Sequence, residues 1–287
     1  MNPRLLLLAP TLLVVLIAAC GGDDDDASSA STVAPPADAT LPTVPAGGSY
    51  EYATGADDVV VEVTQEGGFV PPEVIFARTP TALISGDGRA LSTGPTTMIF
   101  PGPLLPNLLQ RSITPQGIQS VLAQADELGL LAEVEYPRND QIADAPDTVV
   151  TITVGGTTYR HQAYALGFDT ESDPARANLA EFVAAMTDLQ TTVGAGQLGP
   201  EEPYAATTYL IQATPVDLDT MTFDVEPTVV PWPADATVSL ADAAECAELP
   251  ADEAEPVFAD ANQLTFFTES DVTYQVAAVQ QVPGRTC

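Results

Sequence analysis

The stretch that decides the fold class is Thr148–Leu166, TVVTITVGGTTYRHQAYAL. Every residue from Thr148 to Val154 is β-branched, which favours an extended, pleated backbone over a helix. Gly155-Gly156 supplies the left-handed conformations that a two-residue hairpin turn requires. The return arm, Thr157–Leu166, alternates in its chemistry. Tyr159, His161, Ala163 and Ala165 share one face, while Arg160, Gln162 and Tyr164 share the other. Asp173-Pro174 then places a capping carboxylate before a proline at the favoured first helical position. Leu179, Phe182, Val183, Met186 and Leu189 follow at helical spacing.

The same order, hairpin then helix, is read upstream. Asp58–Gln65 is a valine-rich strand closed by Gly67-Gly68. Val74–Arg78 and Thr81–Ser85 are expected as two further strands separated by Pro80, and Gly86-Asp87-Gly88 as the hairpin loop leading into Arg89–Ser92. Thr114 and Pro115 open a helix whose apolar face is Ile118, Val121, Leu122, Ala125 and Leu128, and Gly129 stops it. Downstream, Thr207–Ala213 reads as a strand, Ser239 as the cap of a short helix carrying Cys246, and Leu264–Thr268 with Val272–Gln280 as a terminal hairpin. The expected fold is therefore α+β: an antiparallel sheet of hairpins with two main helices packed on it and a disulfide-stapled C-terminal section.

The N-terminus has a different composition. Met1–Arg4 is a short basic start, and Leu5–Ala18 runs apolar apart from Pro10 and Thr11. That run is shorter than the roughly 20 residues needed to span a bilayer and suits a secretory leader. It ends in Ile17-Ala18-Ala19-Cys20, a branched apolar residue and two small ones before a cysteine. This box resembles that of bacterial lipoproteins. The resemblance implies a leader over residues 1–19, cleavage before Cys20, and a diacylglyceryl group on its thiol. Lipidation would hold the protein on the outer face of the cell membrane, because two acyl chains anchor stably where one does not. Residues 20–49, with the acidic run Asp23–Asp26 and many Ala, Ser, Thr and Pro, read as a disordered tether reaching roughly 30 Å. Residues 50–287 are expected to form the folded α+β domain, with 50–200 and 201–287 as candidate subdomains. The alanine, proline and aspartate bias looks like that of envelope lipoproteins from high-G+C actinobacteria.

Charge removes several classes of function. The chain carries 8 basic and 40 acidic residues, a net charge of −32, and all of its basic residues are arginine. Without lysine there is no P-loop, no Schiff-base chemistry and no Ser-x-x-Lys nucleophile. A surface this acidic does not bind nucleic acid. Asp217, Asp219 and Asp224 imitate a calcium loop, but Thr222 and Thr228 stand where the glycine and the closing glutamate belong. No metal site and no cofactor is expected.

Few residues remain as candidates. Cys246 and Cys287 are expected to pair in an oxidising compartment, closing a loop of 42 residues and constraining the unfolded chain by roughly 4 kcal/mol. His161, the sole histidine, excludes two-histidine metal motifs and is either a packed core residue or the general base of a hydrolase. Trp232, held as Pro231-Trp232-Pro233, is either a partner anchor or a core plug. Within Phe100–Ile113, Pro101, Pro103 and Pro106 break a run loaded with Leu104, Leu105, Leu108 and Leu109. Pro106 is expected to open a short helix, and any exposed leucines would form a docking lip or the wall of an apolar pocket. The leading expectation is a non-enzymatic lipoprotein that binds a protein or envelope ligand. The alternatives are a carrier of a lipid or other apolar molecule, and a hydrolase using His161.

Overall fold

The computed structural model describes residues 49–138, 141–168 and 172–287. The expected leader, Cys20 and the expected tether up to residue 48 lie outside the described residues. In chain order the elements are β1 (Val59–Gly67), α1 (Pro72–Phe76), β2 (Ala82–Ser85), β3 (Arg89–Thr93), β4 (Leu108–Ser112), α2 (Pro115–Glu127), β5 (Pro146–Val154), β6 (Thr157–Tyr164), α3 (Pro174–Thr187), α4 (Leu189–Val193), β7 (Glu202–Pro203), β8 (Thr208–Val216), β9 (Thr228–Pro231), β10 (Ala247–Pro250), α5 (Ala251–Phe258), β11 (Thr265–Glu269) and β12 (Val272–Gln280). The class is α+β, as expected. The strands divide between two sheets, one of seven strands in the order β6-β5-β1-β2-β3-β4-β7 and one of five in the order β10-β8-β12-β11-β9.

The first sheet is antiparallel throughout. Its β5–β6 hairpin pairs Val154 with Thr157 around Gly155-Gly156. The helices α2 and α3 cover one face. The Thr114 hydroxyl accepts from the Gly117 N–H, and the Asp173 carboxylate accepts from the N–H groups of Ala175 and Arg176, so both helices begin at their capping residues. At the far end of α2, Gly129 takes a φ of +75°, and the Leu130 N–H donates back to the Ala125 carbonyl at 2.8 Å. This is the left-handed stop that glycine permits. Val61, Val63, Ile84, Val150 and Ile152 from the sheet meet Ile118, Val121, Leu122, Leu179, Phe182 and Met186 from the helices in one core.

All four residues of β2 are buried, because the opposite face of this sheet is covered as well. Leu83, Leu91 and Leu108 point away from the helices and pack around Val282, which follows β12. The C-terminal segment thus lies as a strap across the back of the first sheet. A Cβ on Gly284 would fall 2.7 Å from Val59 Cγ2, so the strap's close approach requires glycine there. The strap ends in the Cys246–Cys287 disulfide, with Cα atoms 5.4 Å apart.

The second sheet is mixed, since β9 and β11 run parallel while the other pairs are antiparallel. Its core gathers Tyr209, Ile211, Leu249, Phe267, Tyr274, Val276 and Ala278 beneath Ala254 and Phe258 of α5. Trp232, Phe258 and Phe267 meet at ring separations of 5.5–6.2 Å, within the range in which aromatic pairs attract beyond their buried area.

Three local expectations are corrected. Residues 74–76 are helical, not a strand: Pro71-Pro72 fixes the backbone for a first turn and outweighs the β-preference of Val74 and Ile75. Leu108–Ser112 is a strand, not a helix begun at Pro106, because β3 offers it a full ladder from Arg89 to Thr93. The Ser239 hydroxyl accepts from the Asp242 N–H at 3.1 Å, but the residues after it form turns rather than a helix, and Cys246 precedes β10 instead. The terminal hairpin forms as expected, β11 against β12, and joins the second sheet through β12, which pairs along its length with β8.

Candidate functional site

A cleft of about 580 Å³ opens between α1, the segment Thr96–Pro106 and β12. Local sequence explains each wall. The segment after β3 carries Pro95, Pro101, Pro103 and Pro106, so it can form neither helix nor central strand. It begins and ends in the first sheet, where the Gly94 N–H donates to the Asn107 carbonyl at 2.8 Å. Its middle is bonded to the other half of the molecule. The Leu104 N–H donates to the Ala261 carbonyl at 3.0 Å, and the Gln263 N–H to the Gly102 carbonyl at 3.0 Å. In return the Gly102 N–H donates to Gln263 Oε1 at 3.1 Å. The loop therefore spans from one sheet to the other, and Leu104 and Leu105 pack partly against the core of the second sheet.

The opposite wall is α1 with Ala77, Arg78 and Thr79. It is held from behind by the strap: Arg285 Nη1 donates to the Arg78 carbonyl at 2.6 Å, and Nη2 donates to the Phe76 carbonyl. Both acceptors lie at the carboxyl end of α1, where unpaired carbonyls seek donors. The floor is β12. Tyr274, Val276 and Ala278 belong to the core of the second sheet, so strand alternation turns Gln275 and Ala277 toward the cleft.

The cleft's chemistry is mostly apolar, with Val74, Ala77, Phe100, Leu104, Leu105 and Ala277 in its lining. Its charged groups, Glu73 and Arg78, come from the α1 side, while Thr96, Gln263 and Thr265 add neutral polar groups elsewhere in the lining. Gln275 Nε2 donates to Glu73 Oε1 at 3.4 Å across the floor, and Arg78 Nη1 donates to the Gln65 carbonyl at 3.2 Å. Behind Pro106, Gln280 Nε2 donates to the Pro106 carbonyl at 3.3 Å. The buried Gln280 Oε1 has no hydrogen-bond partner among the described residues. Beside the cleft, burial raises the Glu62 carboxyl above its ordinary range while the Arg285 charge opposes the rise.

The residues singled out from the sequence separate into two groups. Leu104 and Leu105 line the cleft. Leu108 is buried against Leu83, Leu91 and Val282, and Leu109 is half-buried in β4, opposite Pro203 of β7. Neither leucine forms a lip, because β4 places them within a sheet. Trp232 is corrected as a partner anchor: it is 6% exposed, and its indole Nε1–H donates to the Val238 carbonyl at 2.9 Å. The flanking prolines turn the chain so that the ring plugs the core of the second sheet.

His161 is 1% exposed and both ring nitrogens are occupied. Nε2 lies 2.8 Å from the Leu130 carbonyl, which can only accept, so Nε2 carries the proton. Nδ1, at 2.8 Å, then accepts from the Tyr136 hydroxyl. Burial holds the imidazole below its ordinary pKa against the raising effect of the Leu130 carbonyl, and burial pushes the Tyr136 hydroxyl up to about 12. A neutral imidazole with both nitrogens bonded in a core has no free lone pair for a substrate. It pins the loop after α2 to β6.

Among the described residues no group of three His, Cys, Asp or Glu side chains is placed to hold a metal ion. No helix among them is long and apolar enough to cross a membrane. The residues missed from the sequence are Val74, Ala77, Gln275 and Ala277. They come from α1 and β12, which lie far apart in the chain, and no local signal marks them as neighbours. Compared with protein-family models, curated proteins and solved structures, the chain matches none of them.

Proposed function

We propose that the protein is a membrane-anchored, extracytoplasmic lipoprotein whose folded unit holds an apolar small molecule, such as a lipid acyl chain, in the cleft between α1, Thr96–Pro106 and β12. The observation that carries this reading is the cleft itself: about 580 Å³, in the size range of small-molecule sites, with a mostly apolar lining and few polar groups. The charged groups of the lining, Glu73 and Arg78, both come from the α1 side and suit a polar head at the end of an apolar body. The leucine and tryptophan surface that would favour a protein partner is not present in that form, since Trp232 and Leu108 are buried. The lipobox-like residues before Cys20 support the anchor.

The test is native mass spectrometry of the full-length protein extracted gently from its own membranes. The expected result is a stoichiometric apolar passenger and a lipid mass on Cys20. Ala277→Leu fills the floor of the cleft. Because the added side chain takes up space that the ligand would fill, the variant should bind a fluorescent fatty acid about tenfold more weakly or worse, measured at a temperature where it is folded. A chain that carries no passenger and gives equal fatty-acid titrations for wild type and A277L overturns the carrier reading.

A further inference from the structure

The cleft opens beside the most exposed apolar surface among the described residues. Met98 is 100% exposed, Ile99 72% and Phe100 64%, on the loop that forms one wall. Val74 and Ile75 stand exposed on α1, the opposite wall, and Phe69, 88% exposed, and Val70 precede that helix. Phe100 and Val74 both line the cleft, so the two sets of side chains flank one mouth. Scattered surface hydrophobics need no explanation, but a set gathered around a ligand site does.

Charge indicates what covers this mouth. The chain has 40 acidic residues, yet no ionisable side chain lies between Arg89 and Arg111, nor between Glu66 and Glu73. A protein partner drawn to so acidic a molecule would be basic and would meet it at its acids. A mouth whose most exposed side chains are Phe, Met and Ile, with the half-buried Glu73 and Arg78 set back in the cleft lining, matches the apolar side of interfacial elements that enter a bilayer among the headgroups. Between Cys20 and Ser49 lie 28 residues, enough when fully extended for the mouth to reach the anchoring membrane at up to roughly 95 Å.

We infer that Phe69, Val74, Ile75, Met98, Ile99 and Phe100 form a lip that docks on the lipid bilayer, so that the cleft opens directly onto the membrane. A ligand too apolar to dissolve then passes between bilayer and cleft without crossing water. The inference rests on the carrier reading for its purpose, but its geometry is tested separately.

The full-length chain is prepared with Met98→Cys, or with Thr157→Cys at the exposed β5–β6 turn as reference. Each is labelled with an environment-sensitive fluorophore and reconstituted in phosphatidylcholine vesicles containing nitroxide-labelled lipid. The label at 98 should shift to the blue and lose emission to the nitroxide, while the label at 157 does neither. Added salt should leave the difference intact, because no charge carries it. Ile99→Asp in the M98C chain should abolish the shift, since a carboxylate resists entering lipid. Equal, water-like emission at both positions overturns the inference. So does a blue shift that is already present without vesicles and accompanied by a dimer in light scattering, which would make the lip an interface between two copies. Fatty-acid binding without insertion at 98 removes the lip and keeps the carrier. Insertion at 98 without fatty-acid binding keeps the lip and removes the carrier.

Discussion

The two faces of the seven-stranded sheet use similar residues to opposite ends. On the helix side, Val61, Ile84, Val150 and Ile152 meet Leu122, Leu179 and Phe182 in a closed core, and even the polar His161 is paired at both nitrogens. On the other side the cover is a C-terminal strap and a proline-broken loop, and beside them a cleft of about 580 Å³ stays open. Two regular helices can be placed by their own apolar periodicity and fill space side by side. A strap and a loop are placed by a few point contacts, such as Arg285 on the end of α1 and Leu104 on Ala261. Closed packing confers stability, and point-held walls leave room for a ligand.

Mutation can break this contrast. The largest effect is expected on the closed side: Phe182→Ala, at a fully buried ring, should cost about 3–5 kcal/mol in urea unfolding and leave fatty-acid affinity unchanged under conditions where the variant is folded. A parallel loss of affinity would show that the two faces are not independent. Next comes the strap. Replacing Cys246 and Cys287 by serine frees a chain end whose partner lies 41 residues away, at a cost of about 2–4 kcal/mol. Unlike F182A, this change should also weaken ligand binding, because Arg285 holds α1 from the strap. Unchanged binding in the serine variant would detach the cleft wall from the disulfide.

The smallest effect is on pH dependence, and its sign differs between the faces. The folded-state pKa of His161 is held below its ordinary 6.5. The unfolded chain therefore takes up a proton first, and stability should fall as pH drops through that value. Glu62, beside the strap, has a folded-state pKa raised above 4.5. Its contribution is fully present below 4.5 and is lost as pH rises through the raised value. Melting temperature followed against pH should lose its acid-side slope near neutrality in His161→Gln and the opposing slope in Glu62→Gln. If H161Q retains the wild-type slope, the imidazole is not the group that titrates.

Legibility followed the same division. The hairpin at Gly155-Gly156, the caps at Thr114 and Asp173 and the helix stop at Gly129 were readable, because each is specified by residues within a turn or two of one another. The strand expected at Val74–Arg78 was misread. Two β-branched residues favour a strand there, while Pro71-Pro72 and the contact with β12 decide for a helix. The leucines and prolines of Phe100–Ile113 mark it as unusual, but only the ladder with β3 determines that Leu108 is buried while Leu104 faces the cleft. Trp232 posed the same problem, since Pro-Trp-Pro reads alike for an exposed anchor and a core plug until Phe258 and Phe267 are seen beside it.

From the sequence alone came the α+β class, the two main helices, the Cys246–Cys287 pairing and the absence of lysine chemistry. Each depends on local backbone preference, on residue count or on charge, which need no knowledge of distant neighbours. The division into two sheets, the strap behind α1 and the cleft between residues near 75, 100 and 277 were decided only in three dimensions. Those features arise where segments remote in the chain compete for the same buried area, and that competition is settled by packing rather than by any single stretch of residues.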